Sequence, residues 1–160
     1  MLFSLVIPAY NEERRITMTL DRAEAYFARQ DYDSEIIVVS DGSQDTTAEL
    51  VRSLYPKVRV IEYSPNRGKG YAVKAGMLSA TGEFRAFCDA DGSTPIEEVD
   101  GLWKRFSAGA DIVIGSRSLP ESNVEVRQHP IREGMGRTFN VFVKVLLGLP
   151  YIDTQCGFKG

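Results

Sequence analysis

Two aspartates stand one residue apart in Asp89-Ala90-Asp91-Gly92-Ser93, directly behind the short apolar run Phe84-Arg85-Ala86-Phe87-Cys88. Read as a strand that ends in two carboxylates, this stretch brings like charges together. Such a pair is tolerated chiefly where water or a cation screens it. A divalent metal that carries a diphosphate suits it, because Mg2+ and Mn2+ take hard oxygen ligands and keep positions for phosphate. The same residues also read as a solvated strand-to-helix turn, with Ser93 or Thr94 capping a helix that Pro95 begins.

The elements that must position this pair are legible as an alternation. Leu2–Ile7 is a continuous apolar run, the pattern of a strand buried on both faces, and Pro8-Ala9-Tyr10-Asn11-Glu12-Glu13 follows as a loop. Ile16, Leu20, Ala23 and Phe27 then recur at helical spacing. Glu35–Ser40 reads as a second strand ending at Asp41, Thr46–Tyr55 as a helix, and Lys57–Glu62 as a third strand. Asn66-Arg67-Gly68-Lys69-Gly70 reads as a loop before a small-residue helix Tyr71–Ala80. The carboxylate strand is fourth, Ile96–Ser107 a helix, and Asp111–Gly115 a fifth strand. Strand–helix alternation with short links predicts one α/β domain over residues 1–160, a mostly parallel sheet flanked by helices. In such sheets ligands sit at the carboxyl ends of the strands. Tyr10 and Glu12, Asp41, Lys69, Asp89 and Asp91, and Arg117 then share one rim.

Composition narrows the partners. The 160-residue chain has a formal net charge of -3, so nothing global points to nucleic acid. Residues 101–160 nevertheless hold eight Lys and Arg against five Asp and Glu, which concentrates positive charge late in the chain. Two cysteines make no disulfide framework and fit a reducing, cytoplasmic compartment. The N-terminus has no basic start or small-residue cleavage site, so no signal peptide is expected. No apolar run reaches the ~20 residues that span a bilayer.

The usual phosphate loops are missing. There is no Gly-x4-Gly-Lys-Ser/Thr string, and Gly68-x-Gly70 lacks the third glycine of a dinucleotide fingerprint and precedes the third helix instead of following strand one. A nucleotide would be held by side chains and a metal. Asp41 could accept from a base N–H or a ribose hydroxyl, or else cap the next helix, although Asp45 lies closer to that helix start.

Four strings in order, Val6-Ile7-Pro8-Ala9-Tyr10-Asn11-Glu12, Val38-Val39-Ser40-Asp41-Gly42-Ser43, Asn66-x-Gly68-Lys69-Gly70 and Asp89-Ala90-Asp91, resemble the inverting family 2 glycosyltransferases of GT-A fold. Gly115-Ser116-Arg117 and Asp153-Thr154-Gln155-Cys156-Gly157-Phe158-Lys159 are similar to the dolichyl-phosphate and polyprenyl-phosphate glucose and mannose synthases among them, with a lean toward the glucosyl branch. The resemblance covers residues 4–159. It implies a UDP- or GDP-hexose donor, Mg2+ or Mn2+, and a polyprenyl or dolichyl phosphate acceptor. By position, Pro8, Tyr10, Glu12 and Asp41 would line the base and ribose pocket. Asp89 and Asp91 would hold ribose and the metal diphosphate, Lys69 would add charge nearby, and Arg117 would meet phosphate. Ser93 stands where several relatives have Gln. Relatives also continue past the point where Gly160 falls, so the chain is expected to be a C-terminally shortened form of that catalytic domain.

Charge argues for the acceptor independently. A hydroxyl acceptor needs a general base, whereas a phosphate monoester, with a second pKa of about 6, is already largely ionised. Arg117, Arg132 and Arg137 suit such an acceptor through their bidentate forks, although each also reads as a solvated surface arginine. Asp153 is the late acid positioned to act as a base, and Gln155 can touch acceptor or sugar. Phe139, Phe142, Val143, Leu146 and Leu147 cluster on a helix Arg137–Leu147. That face packs in a core or rests on a membrane surface, which would place the protein at the cytoplasmic face of a membrane.

Two rivals remain. Asp89-x-Asp91 after an apolar strand also matches haloacid-dehalogenase-type phosphatases, with Asp89 as nucleophile, although that motif normally lies on the first strand. A non-catalytic nucleotide-sugar-binding module is the other.

Overall fold

The computed structural model describes residues 2–116 and 156–160. The chain divides into two compact units, residues 1–113 with 158–160 and residues 114–157. All the elements that follow belong to the first. β1 (Leu2–Ala9), β2 (Asp33–Asp41), β3 (Arg59–Tyr63), β4 (Phe84–Cys88) and β5 (Phe158–Lys159) form one sheet in the order β3-β2-β1-β4-β5. The helices are α1 (Ile16–Phe27), α2 (Thr47–Leu54), α3 (Lys69–Ser79) and α4 (Val99–Ser107), the last preceded by a 3-10 turn at Ile96–Glu98. The first four strands are parallel, and β5 runs antiparallel to β4.

The two-sided burial of β1 follows from its sequence. Phe3, Leu5, Val6 and Ile7 are fully buried, because helices cover both faces of the sheet. Phe3 meets Phe27 of α1 at 5.7 Å and Trp103 of α4 at 6.4 Å between ring centroids, so those helices lie on one face. On the other face Val6 and Val39 meet α3, which presents Ala72 and Gly76, with Ala80 just past its end in the same cluster. A Cβ added at Gly76 would sit 2.3 Å from Val6 Cγ1, so the small residues are what let α3 lie close to the sheet.

The topology positions the site. Strands β1, β2 and β3 grow toward one edge, then α3 crosses back and places β4 on the opposite side of β1. The chain therefore switches direction between β1 and β4, where open α/β sheets form their ligand crevice at the strand ends.

The expected α/β architecture is present, with differences in detail; β3 starts and ends later than expected, and Ile96–Glu98 is a 3-10 turn ahead of α4. β1 runs on through Pro8 to Ala9, and the missing proline N–H is tolerated because pairing with β4 stops at Val6. β2 likewise includes Asp41. Lys69 and Gly70 are the first residues of α3, not a loop, because Gly68 with φ 88° makes the turn in front of them. The fifth strand is Phe158–Lys159 rather than Asp111–Gly115. Val113 exchanges two backbone hydrogen bonds, of 2.8 and 2.9 Å, with Gly160 just past that edge strand. A two-residue antiparallel edge carries no periodicity and needs no crossover helix, so local pattern favoured the longer apolar run.

Candidate active site

The loops that follow β1 and β2 are laced to one another. Asn11 donates its backbone N–H to Ser43 Oγ at 3.2 Å, and its own Oδ1 accepts from the Gln44 N–H at 2.8 Å. Asn11 holds φ 55°, a conformation asparagine tolerates better than most residues. The Glu12 N–H reaches Thr47 Oγ1 at 2.8 Å and the Glu13 N–H reaches Asp45 Oδ2 at 3.1 Å. Glu13 in turn accepts from the Thr46 hydroxyl at 2.8 Å. Asp45, not Asp41, accepts the Thr47 N–H at the start of α2, as its position in the sequence suggested. Burial opposes its ionisation, but bonds from Thr47 and from backbone N–H groups outweigh that and hold Asp45 below the usual carboxylate range.

Of the residues expected to line a base pocket, Pro8 is buried in β1 and Tyr10 is exposed at its end. The Glu12 carboxylate is engaged by Arg15 through two contacts of 2.7 Å, and its backbone carbonyl accepts the Ile16 N–H that opens α1. Glu12 thus acts at this helix start, turned toward Arg15. A cleft of about 650 Å3 lies among Asn11 to Arg15, Gln44 and Asp45. None of Asp41, Lys69, Asp89 or Asp91 lines it, and Asn11, Glu13, Gln44 and Asp45 of its lining take part in the bonds that lace the two loops.

Asp41 is buried at the tip of β2 and holds the next loop in place. Its Oδ1 accepts the Arg67 N–H at 2.8 Å and its backbone carbonyl accepts from Asn66 Nδ2 at 2.8 Å. Gly42 makes this possible. Its φ is +67°, and a Cβ there would lie 2.5 Å from the Asn66 nitrogen. Tyr63, opposite Asp41 in the β2–β3 register, has a buried hydroxyl with no hydrogen-bond partner among the described residues. Burial, with Asp41 beside it, raises that hydroxyl's pKa above the ordinary tyrosine value. Arg67 lies 4.8 Å over the Tyr71 ring and donates to its hydroxyl at 2.7 Å, which fixes the outer side of the loop.

Two residues beyond Arg67 the same loop enters α3, and the Lys69 ammonium pairs with Asp89 Oδ1. Asp89 is half-buried just past β4, and Asp91, also half-buried, accepts the Ser93 N–H at 3.0 Å. Between them the Ala90 carbonyl accepts from Thr19 Oγ1 of α1 at 2.8 Å, which anchors the turn to the core. Both carboxylates and Lys69 lie close enough to act on the Cys88 thiol. Burial first, then the two acids, push that thiol up to about 12, so Cys88 is a buried protonated group and not a nucleophile.

The donor set fits a hard divalent cation. Asp89 already faces a cation, the Lys69 ammonium standing where a metal charge would, and two carboxylates match the way Mg2+ is held with substrate phosphates completing its shell. Among the described residues no group of three or more His, Cys, Asp or Glu gathers to hold a metal, and two carboxylates leave positions that phosphate and water oxygens can fill. Arg117, Arg132, Arg137, Asp153 and Gln155, with the helix expected over residues 137–147, lie outside the described residues. Sequence reasoning missed the Lys69–Asp89 pair, the Arg67–Asp41 bond and the Thr19–Ala90 anchor. All three join residues at least twenty positions apart, for which no local signal exists.

The sheet, with its strand order and an acid pair at the switch point, is an α/β fold of the GT-A type, as its likeness to solved structures shows. The model of Glycosyl transferase family 2 matches residues 4–159, and the chain belongs to that family. A dolichyl-phosphate beta-glucosyltransferase of Trichomonas vaginalis is 39% identical, with 98% of this chain matched to 50% of that one. The chain thus spans about half the length of the curated relatives it matches. Among solved structures, S. aureus TarS 1-349 in complex with UDP matches at TM-score 0.59 and 27% identity, over 79% of this chain and 40% of that one. Glucosyl-3-phosphoglycerate synthase of Mycobacterium tuberculosis, solved with Mn2+, UDP and product, matches at TM-score 0.69 over 98% of this chain and 55% of its own. At 23% identity that match is a likeness of fold. The phosphatase alternative loses its ground, since the acid pair follows β4 and not the first strand.

Proposed function

We propose that residues 1–160 are the donor-binding part of a single catalytic domain that transfers glucose from a UDP-sugar to dolichyl phosphate with inversion. The dolichyl-phosphate beta-glucosyltransferase relative supports the sugar and the acceptor, and TarS in complex with UDP supports the nucleotide. The observation that carries the reading is one loop with two anchors. Arg67 bonds Asp41 at the β2 tip, and Lys69 pairs with Asp89 at the β4 tip, so the proposed base side and diphosphate side of the site form one surface.

In this reading Tyr10 and Asp41 receive the base and ribose, and Asp89 and Asp91 hold Mg2+ or Mn2+. The cation would supply the charge that stabilises the departing nucleoside diphosphate. Lys69 adds a second positive charge on the same side. Arg117, Arg132 and Arg137 are assigned to the acceptor phosphate. Its oxygen attacks the anomeric carbon as the bond to the diphosphate breaks. The acceptor is already ionised, so no proton need be taken from it, and Asp153 and Gln155 are assigned to orienting acceptor and sugar. A dolichyl acceptor requires work at a membrane surface, and the cytoplasmic face is where a nucleotide-sugar would be met. Among the described residues no helix is long and apolar enough to cross a bilayer.

Thermal-shift screening of UDP, UDP-glucose, GDP and GDP-mannose, each with and without Mn2+, tests the donor assignment, because a ligand that binds only the native chain raises its melting point. A rise with UDP-glucose that depends on Mn2+ is expected. No rise with any of the four overturns the reading. The other reading is a donor-binding module that does not turn over. Sugar transfer to dolichyl phosphate in a detergent assay would decide against it.

A further inference from the structure

Lys69 and Asp89 meet across the switch point, both in part exposed to solvent. Lys69 is the first residue of α3, its side chain 54% exposed, and Asp89 lies at the end of β4 with 30% of its side chain exposed. The four-carbon stem lets the ammonium swing without disturbing α3. A Cβ at Gly68 or Gly70, on either side, would meet nothing beyond the neighbouring residues of the chain, so no other segment crowds the backbone that carries Lys69. The carboxylate that Lys69 occupies is one of the two assigned above to the divalent cation.

We propose that Lys69 is the resident counter-cation of the acid pair, and that the binding of divalent metal and of nucleoside diphosphate is coupled through it. The ammonium and the metal compete for Asp89. An arriving diphosphate offers Lys69 another anion, draws it from the carboxylate, and so favours metal entry. By linkage, metal on the acid pair favours the diphosphate by the same factor. A lysine that served only as a phosphate ligand would leave the affinity for metal alone unchanged, and a structural ion pair would affect stability instead. The proposal rests on the reading of this rim as a nucleotide-sugar site.

The test is calorimetric titration of Mn2+ alone into the 160-residue chain and into its Lys69→Met and Lys69→Arg variants, repeated with saturating UDP. Melting curves check that each variant is folded. Lys69→Met should bind Mn2+ alone roughly fivefold tighter than the wild type, the effect of one unit charge at contact distance in a wet site. Lys69→Arg should stay near wild type. The factor by which UDP tightens Mn2+ binding should be smaller in Lys69→Met. Equal Mn2+ affinity in Lys69→Met and wild type overturns the proposal, and if UDP and Mn2+ still bind together the nucleotide reading survives it. Tighter Mn2+ binding by Lys69→Met with no UDP binding to any variant keeps the competition for Asp89 but overturns the coupling and the nucleotide reading together. No Mn2+ binding by any variant overturns both.

Discussion

Arg67 donates its backbone N–H to the buried carboxylate of Asp41 at 2.8 Å, so the acid at the β2 tip is at once a structural acceptor and a proposed nucleotide ligand. The two roles separate by substitution. Asp41→Asn keeps an oxygen for the Arg67 N–H and should melt close to wild type. It should also weaken UDP binding about tenfold, the scale of one hydrogen bond to a charged group. Asp41→Ala leaves that N–H unpaired and should in addition lose about 1–3 kcal/mol of stability. Calorimetry with UDP and urea unfolding of both variants check this. Undiminished UDP affinity in Asp41→Asn would leave Asp41 a purely structural role.

Asp91 offers a cleaner separation of fold from site. Its described partner is the nearby Ser93 N–H, which water can replace. Asp91→Ala should stay within about 1 kcal/mol of wild type, as changes outside the core do. The Mn2+-dependent part of the UDP-glucose thermal shift should vanish. A shift that persists with Mn2+ would remove Asp91 from the metal site.

Gly76 tests the packing that sets the height of α3 above the sheet. Helix propensity alone predicts that Gly76→Ala gains about 1 kcal/mol. The added Cβ, however, would stand 2.3 Å from Val6 Cγ1 and 3.0 Å from Val39 Cγ2 in the buried core, and overpacking there costs about 1–3 kcal/mol. The clash should win, giving a net loss in urea unfolding. Because Lys69 starts the same helix, the displaced α3 should also weaken UDP binding.

Acid should destabilise the chain partly through Glu35, at the end of the sheet opposite the site. Burial opposes its ionisation, but bonds from Ser4 at 2.6 Å and from the Thr81 backbone and hydroxyl, with Arg59 nearby, outweigh this and hold it below its ordinary 4.5. A carboxyl more acidic folded than unfolded stabilises above its unfolded pKa, and that contribution is lost as pH falls through the folded value. Melting temperature should therefore drop as pH is lowered from 4.5, and Glu35→Gln should flatten that drop. At neutral pH the variant should lose about 1–2 kcal/mol, because the buried Ser4 and Gly82 groups depend on the same network.

Much of the architecture was readable one segment at a time. Among the described residues, alternation of apolar runs with helical spacing located four of the five strands and all four α-helices, since burial on both faces forces continuous apolar residues in β1 and β2. The small residues of α3 were visible as composition, but the reason for them, contact with Val6 and Val39, was not. The edge strand Phe158–Lys159 escaped notice because two residues carry no period.

The amino-acid sequence by itself determined the family, the parallel α/β layout and the acids that end β2 and β4, because residue type and local spacing encode each of these. Only the tertiary structure decided how those acids are used. The pairing of β3 with β2 brings Arg67 to Asp41, and the return of α3 across β1 to β4 brings Lys69 to Asp89. Such pairings depend on how distant segments close in space, which no local pattern records.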